Sequence, residues 1–127
     1  MDLHVNLDKS GQTLVTLLVF MVIAIAITSS AVVLTISNSL QASKVEQGMM
    51  ALQIAESGAE NALLRLLRNP SYTGETLTVG TGTAVLTVTG TPVKIISEGI
   101  NGRFRRKIEI GVNTSTTLTV TSWKEVY

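Results

Sequence analysis

No residue from 10 to 43 carries a charge, and residues 14–36 (LVTLLVFMVIAIAITSSAVVLTI) form a nearly unbroken apolar run. A run of about 20 apolar residues is long enough to cross a bilayer as a helix, because only internal hydrogen bonding satisfies a backbone in hydrocarbon. The run is too long for the apolar core of an ordinary secretory signal, and the segment before it (MDLHVNLDKSG) lacks a strongly basic start. Lys9 and Lys44 flank the run one on each side, so the positive-inside rule gives no orientation. An uncleaved anchor and a conventional signal peptide remain the alternative readings of this segment.

The rest of the chain has an ordinary soluble composition rich in Thr, Val and Gly. It has no Cys, so disulfides, thiol catalysis and cysteinyl metal sites are excluded. The single His (His4) and both Asp residues (Asp2, Asp8) precede Gly11. A net charge of +1 gives no electrostatic case for a nucleic-acid partner.

From Lys44 to Arg68 the apolar residues recur every three or four positions. Val45, Met49, Leu52, Ala55, Ala59, Ala62, Leu63, Leu66 and Leu67 are expected on one helical face. Nothing from Leu14 to Arg68 demands a break, and Asn69-Pro70 supplies the stop. The expectation is one helix of roughly 80 Å, apolar all round in its first half and amphipathic in its second.

Beyond Pro70 the period becomes two. Leu77 and Val79, then Ala84, Leu86 and Val88, flank Gly80-Thr81-Gly82 as a hairpin, and Gly90-Thr91-Pro92 turns the chain again. Asn101-Gly102 is a type I′ hairpin signal. Pairing about it sets Val93 opposite Ile110, Ile95 opposite Ile108, Lys94 opposite Glu109 and Glu98 opposite Arg105. A last strand is expected at 117–121, followed by an aromatic tail in which Trp123 and Tyr127 cover the core. A small antiparallel sheet is marginal alone, and the amphipathic helix is its natural cover. The fold class is therefore α+β: a long N-terminal helix, half membrane-spanning and half amphipathic, packed on a small antiparallel sheet.

Around Gly11 the chain resembles the type IV pilins and the pseudopilins of type II secretion. These begin with a short leader ending in Gly, then G-F-T-L-I-E and an unbroken apolar helix. Here Lys9-Ser10-Gly11 resembles the leader end, and Gly11-Gln12-Thr13-Leu14-Val15-Thr16-Leu17-Leu18 matches at Thr13-Leu14-Val15 and Leu17-Leu18. The segment AESGAENALLRLL (residues 55–67) resembles the helix of minor pilins with short heads. The resemblance covers the whole chain in layout, but specific motifs only at residues 9–18 and, more weakly, 55–67.

The resemblance implies a leader (1–11), a membrane-spanning and filament-core half of the helix (12–43), an amphipathic half (44–69) and a β head (70–127). It implies cleavage by a prepilin peptidase between Gly11 and Gln12, N-methylation of Gln12, and a single-pass stay in the cytoplasmic membrane. Transfer into an extracellular or periplasmic filament would follow. The implied partners are that peptidase, other pilin subunits met through the helix, the membrane assembly platform and the lipid bilayer. No cofactor is implied. Small residues Ala24, Ala26, Ser29, Ser30 and Ala31 suit close helix packing.

Two positions depart from the pattern: Gln12 replaces the usual Phe or Met, and Thr16 replaces the usual Glu. In the family that Glu is thought to neutralise a neighbouring subunit's methylated amine, and some tip-located members lack it. A buried carboxylate costs several kcal/mol unless paired. Thr16 tilts the expectation toward a minor or tip subunit, with a divergent major pilin as the alternative. Pilus, secretion pseudopilus and DNA-uptake filament all remain open.

Three features of the head carry sharper readings. Glu56 lies in the apolar stripe and Arg106 on the apolar side of its hairpin, so the two are a candidate buried ion pair between helix and sheet, or each pairs with a neighbouring subunit. The alternative is a rim position reaching water. Strand alternation lets Glu98 and Glu109 answer the cluster Arg103, Arg105, Arg106 and Lys107, so nucleic acid is not the expected partner. Glu56 and Glu60 form a carboxylate pair one turn apart, but no His or nucleophile joins them. A structural subunit is the first reading, a membrane-anchored extracellular binding module the second, and an enzyme the weakest.

Overall fold

The computed structural model describes residues 5–127, with side chains described from Lys9 onward; residues 1–4 of the expected leader lie outside it. Helix α1 spans Val5–Arg68 and is followed by strands β1 (Thr76–Val79), β2 (Gly82–Thr89), β3 (Val93–Asn101), β4 (Phe104–Asn113) and β5 (Thr119–Val126). The strands form one antiparallel sheet in the order β1-β2-β3-β4-β5, a meander in which each strand pairs with the next. The chain divides into two compact units between Ala42 and Ser43.

In the first unit α1 is exposed throughout its described side chains. It is the one helix of the described residues that is long and apolar enough to cross a membrane. Six of its hydroxyl groups turn back on the helix. Thr13, Thr16, Thr28, Ser30, Thr35 and Ser39 each donate to the carbonyl four residues earlier, at 2.7–3.1 Å. That bond hides a polar group that hydrocarbon would penalise.

In the second unit, α1 packs on the sheet through Ala51, Ile54, Ala55, Ala59, Ala62 and Leu66, all buried. They meet Ala84, Leu86, Ile95, Ile108, Ile110 and Val112 from β2, β3 and β4. The small helix residues allow a very close approach. A Cβ on Gly99 would lie 2.1 Å from the Ala51 carbonyl oxygen and 2.5 Å from the Ala55 nitrogen, and one on Gly58 would lie 2.7 Å from both Ala84 and Ser97. Ser97, wholly buried, donates from Oγ to the Ala55 carbonyl at 2.7 Å and ties β3 to the helix. Gly82, expected in the Gly80-Thr81-Gly82 turn, instead opens β2, where a Cβ would lie 2.4 Å from both the Ile100 carbonyl oxygen and Ile54 Cδ1. Helix α1 ends at Arg68, as Pro70 requires, with the Asn69 amide donating to the Arg65 carbonyl.

The covered face of the helix is rotated from the expected one. Ala51 and Ile54 are buried, whereas Val45, Met49 and Leu67 are exposed. At 100° per residue, Val45, Met49, Leu52, Glu56, Leu63 and Leu67 form a second stripe beside the buried one. Two apolar stripes lie side by side, and the sheet covers only one fully.

The β3–β4 register also differs. Asn101 pairs with Phe104, so the turn is Gly102-Arg103 rather than Asn101-Gly102, and Ile95 faces Ile110 while Val93 faces Val112. Gly102 has φ +59° and no non-glycine residue among those described has positive φ, which fits a type II′ turn and not the expected type I′. The shift is two residues. A one-residue slip would exchange the faces, but a two-residue shift keeps every side chain on its expected side. The ion pairs survive as diagonals: Lys94 with Glu109 at 3.3 Å and Arg105 with Glu98 at 3.4 Å. Gly80-Thr81 closes β1–β2 in the same way, with Gly80 at φ +58°.

Strand β5 runs past the expected end at residue 121 and takes in Trp123 and Glu125. Thr121 is the extra residue of a bulge between the Gly111–Ser122 and Val112–Val120 pairs. The bulge carries Trp123, opposite Ile110, and Glu125, opposite Ile108, onto the helix side of the sheet.

Candidate functional site

The residues expected to define processing and assembly sit on the exposed first unit. Gly11 and Gln12 are in α1 and exposed, and nothing would obstruct a side chain at Gly11. Thr16 Oγ1 donates to the Gln12 carbonyl at 2.9 Å, and Thr13 Oγ1 donates to the Lys9 carbonyl at 2.8 Å. Where the resembled family places a carboxylate, this chain has a neutral side chain that is satisfied within its own helix. Thr16 can therefore enter an apolar environment with no charge to pair.

The expected Glu56–Arg106 pair does not form. Glu56 is exposed, and Arg106 Nε meets Glu125 Oε1 at 2.9 Å. Both atoms are buried and neither makes a hydrogen bond among the described residues, and the Arg106 guanidinium also lies 5.8 Å from the centre of the Tyr127 ring. The physical reason is the reach of β5. Its bulge brings Glu125 across from Ile108, one strand away from Arg106, so the cation is answered within the sheet. Trp123 and Tyr127, expected to cover the core, are exposed, Tyr127 almost completely.

The outer face of the sheet holds two charge clusters. Glu98 takes Arg105 and Lys107, and Glu109 takes Lys94 and Lys124. The ammonium of Lys124, with that of Lys94 on the other side, holds the Glu109 carboxyl below its ordinary pKa despite partial desolvation. Of the basic cluster at 103–107, only Arg103 lacks an ion pair among the described residues. At the other end, Arg65 bridges to Glu75, which accepts the Tyr72 hydroxyl at 2.9 Å. Burial first, and that hydrogen bond second, push the Tyr72 phenol up to about 12.

Glu60 is exposed like Glu56, and no described imidazole stands beside the pair. Among the described residues, every charged side chain of β3, β4 and β5 is thus ion-paired, whereas on the helix of the second unit only Arg65 is. No family model matches this chain, and no curated protein or solved structure matches it either.

Proposed function

We propose that the chain is a non-enzymatic structural subunit of a type IV pilus-like or pseudopilus filament. A prepilin peptidase would release it at Gly11–Gln12, and it would wait in the membrane before assembly. One observation carries this reading: α1 is uncharged from 10 to 43, turns six of its hydroxyls back on its own carbonyls, and continues into the helix that anchors a small antiparallel sheet. Such a segment tolerates both lipid and the dry centre of a helical bundle, which is what a subunit that moves between the two requires. Thr16, neutral and satisfied, favours a minor or tip place over the shaft.

Deleting the chain from its host tests the assignment: filaments should vanish, shorten or lose a surface activity. Normal filaments in number, length and composition would contradict it. Thr16→Glu tests position. The variant should enter the shaft more readily than the parent, and unchanged behaviour in every assembly assay would remove the argument from Thr16. A membrane-anchored binding module is the second reading, favoured by exposed Trp123 and Tyr127 at the end of the sheet. It requires a mature chain that keeps its leader.

A further inference from the structure

Near its C-terminal end α1 places Asn61, Leu64, Arg65 and Arg68 three and four residues apart, so they share one face. With Asn69 and Tyr72 from the chain that follows, they line an open cleft of about 450 Å³, a size that suits a small ligand. The wall after the helix is fixed by its own hydrogen bonds. The Asn69 amide donates to the Arg65 carbonyl at 2.8 Å, the Tyr72 amide to the Asn69 carbonyl at 3.0 Å, and the Ser71 amide to Asn69 Oδ1 at 3.1 Å. Arg65 is held from one side only. Its Nε meets Asn61 Oδ1 at 3.0 Å and also Glu75 Oε1, while neither Nη nitrogen has a partner among the described residues. Those two nitrogens form the forked edge that matches a planar carboxylate.

Arg68, one turn on, has no ion pair among the described residues. The Nδ2 groups of Asn61 and Asn69 donate to nothing there either, so both are available to hydroxyl acceptors. Exposed Leu64 sets an apolar surface beside them. Arg65, Arg68 and Glu75 together carry one positive charge, from which the carbonyl end of the helix subtracts roughly half. That balance suits a monoanion and disfavours a dianion such as phosphate. We propose that the cleft binds a uronic acid residue of an acidic polysaccharide. Its carboxylate lies on the Arg65 fork and Arg68, its hydroxyls on Asn61 and Asn69, and its C–H face on Leu64. The site is complete within one copy, so it asks for no neighbouring subunit and serves a filament subunit and an anchored binding module alike. Both arginines are open to water, so the dissociation constant for one sugar is on the order of 1 mM.

Titration of the full chain in detergent with D-galacturonate, followed by saturation-transfer NMR, tests the proposal. Galacturonate should bind in the millimolar range, and neither D-galactose nor inorganic phosphate should displace it at equal concentration. Arg68→Ala and Arg65→Lys should each weaken binding about tenfold, as expected for one lost charge-assisted hydrogen bond. Arg65→Lys keeps a cation beside Glu75 while removing the fork, and circular dichroism confirms that both variants are folded. Arg103→Ala removes an unpaired cation elsewhere on the head and should leave binding unchanged. Galacturonate failing to bind the parent chain would overturn the proposal. So would displacement by galactose or by phosphate, unchanged binding in the Arg65 and Arg68 variants, or an equal loss in Arg103→Ala, which would mark attraction to net charge alone.

Discussion

Replacing Gly99 with alanine would place a methyl group 2.1 Å from the Ala51 carbonyl oxygen and 2.5 Å from the Ala55 nitrogen. Both are helix backbone atoms and cannot swing aside. Ordinary contact begins near 3.4 Å, so helix and sheet must part by about 1 Å. The small residues that made the contact close then lose their partners, and the Ser97–Ala55 bond at 2.7 Å is stretched. Overpacking of this kind costs about 1–3 kcal/mol, and backbone that cannot yield puts Gly99→Ala at about 3 kcal/mol. In a domain of this size that lowers Tm by roughly 10–20 °C. The control is Gly48→Ala, also a glycine-to-alanine change but within helix α1 itself, where an added Cβ meets nothing within 4 Å. There helix propensity favours alanine, and a gain of up to about 1 kcal/mol is expected. Denaturant titration of the full chain in detergent, followed by the fluorescence of its single Trp123, reads both. A loss under about 1 kcal/mol for Gly99→Ala, or the same sign for the two variants, would refute the close approach of helix and sheet.

Ser97→Ala should cost about 1 kcal/mol in the same titration, since the Ala55 carbonyl keeps its helical partner and only one hydrogen bond is lost; a loss above about 3 kcal/mol would show that this accounting is wrong. Glu109 is held ionised by Lys124 and Lys94, so its folded pKa lies below its unfolded one, and its contribution to stability is present above the ordinary carboxylate pKa and lost as pH falls through the lowered value. Carboxyl-resolved NMR should place its midpoint below those of exposed glutamates, and Lys124→Ala should raise it. Ile25→Lys sets a charge at the centre of the uncharged run and costs about 2.5–3.5 kcal/mol of insertion; membrane fractionation should show the variant shifted out of the bilayer, and full retention would argue against a spanning role.

Much of this fold is written in local pattern. The charge-free run and Pro70 mark the helix, and the switch to period two with glycine pairs marks the hairpins. The β3–β4 register was ambiguous for a definable reason: two registers differing by two residues satisfy the same alternation and bring Lys94 near Glu109 and Arg105 near Glu98. Turn chemistry alone separates them, and Gly102 can lead a II′ turn as readily as follow Asn101 in a I′ turn. The buried helix face was misplaced because Val45, Met49 and Leu67 are more hydrophobic than Ala51 and Ala59. The sheet selected the small residues, whose spacing at Ala51, Ala55, Gly58, Ala59 and Ala62 was the available signal. The Arg106 partner was missed because Glu125 lies beyond the expected end of β5, behind a bulge that periodicity cannot foresee. The processing residues rest on the local motif at Gly11 and on nothing that packing could add.

Mass spectrometry of the N terminus of the chain purified from its native membrane tests the central claim most directly. The filament account predicts a chain beginning at Gln12 with a methylated amine. A mature chain that still carries the residues before Gly11 would contradict it.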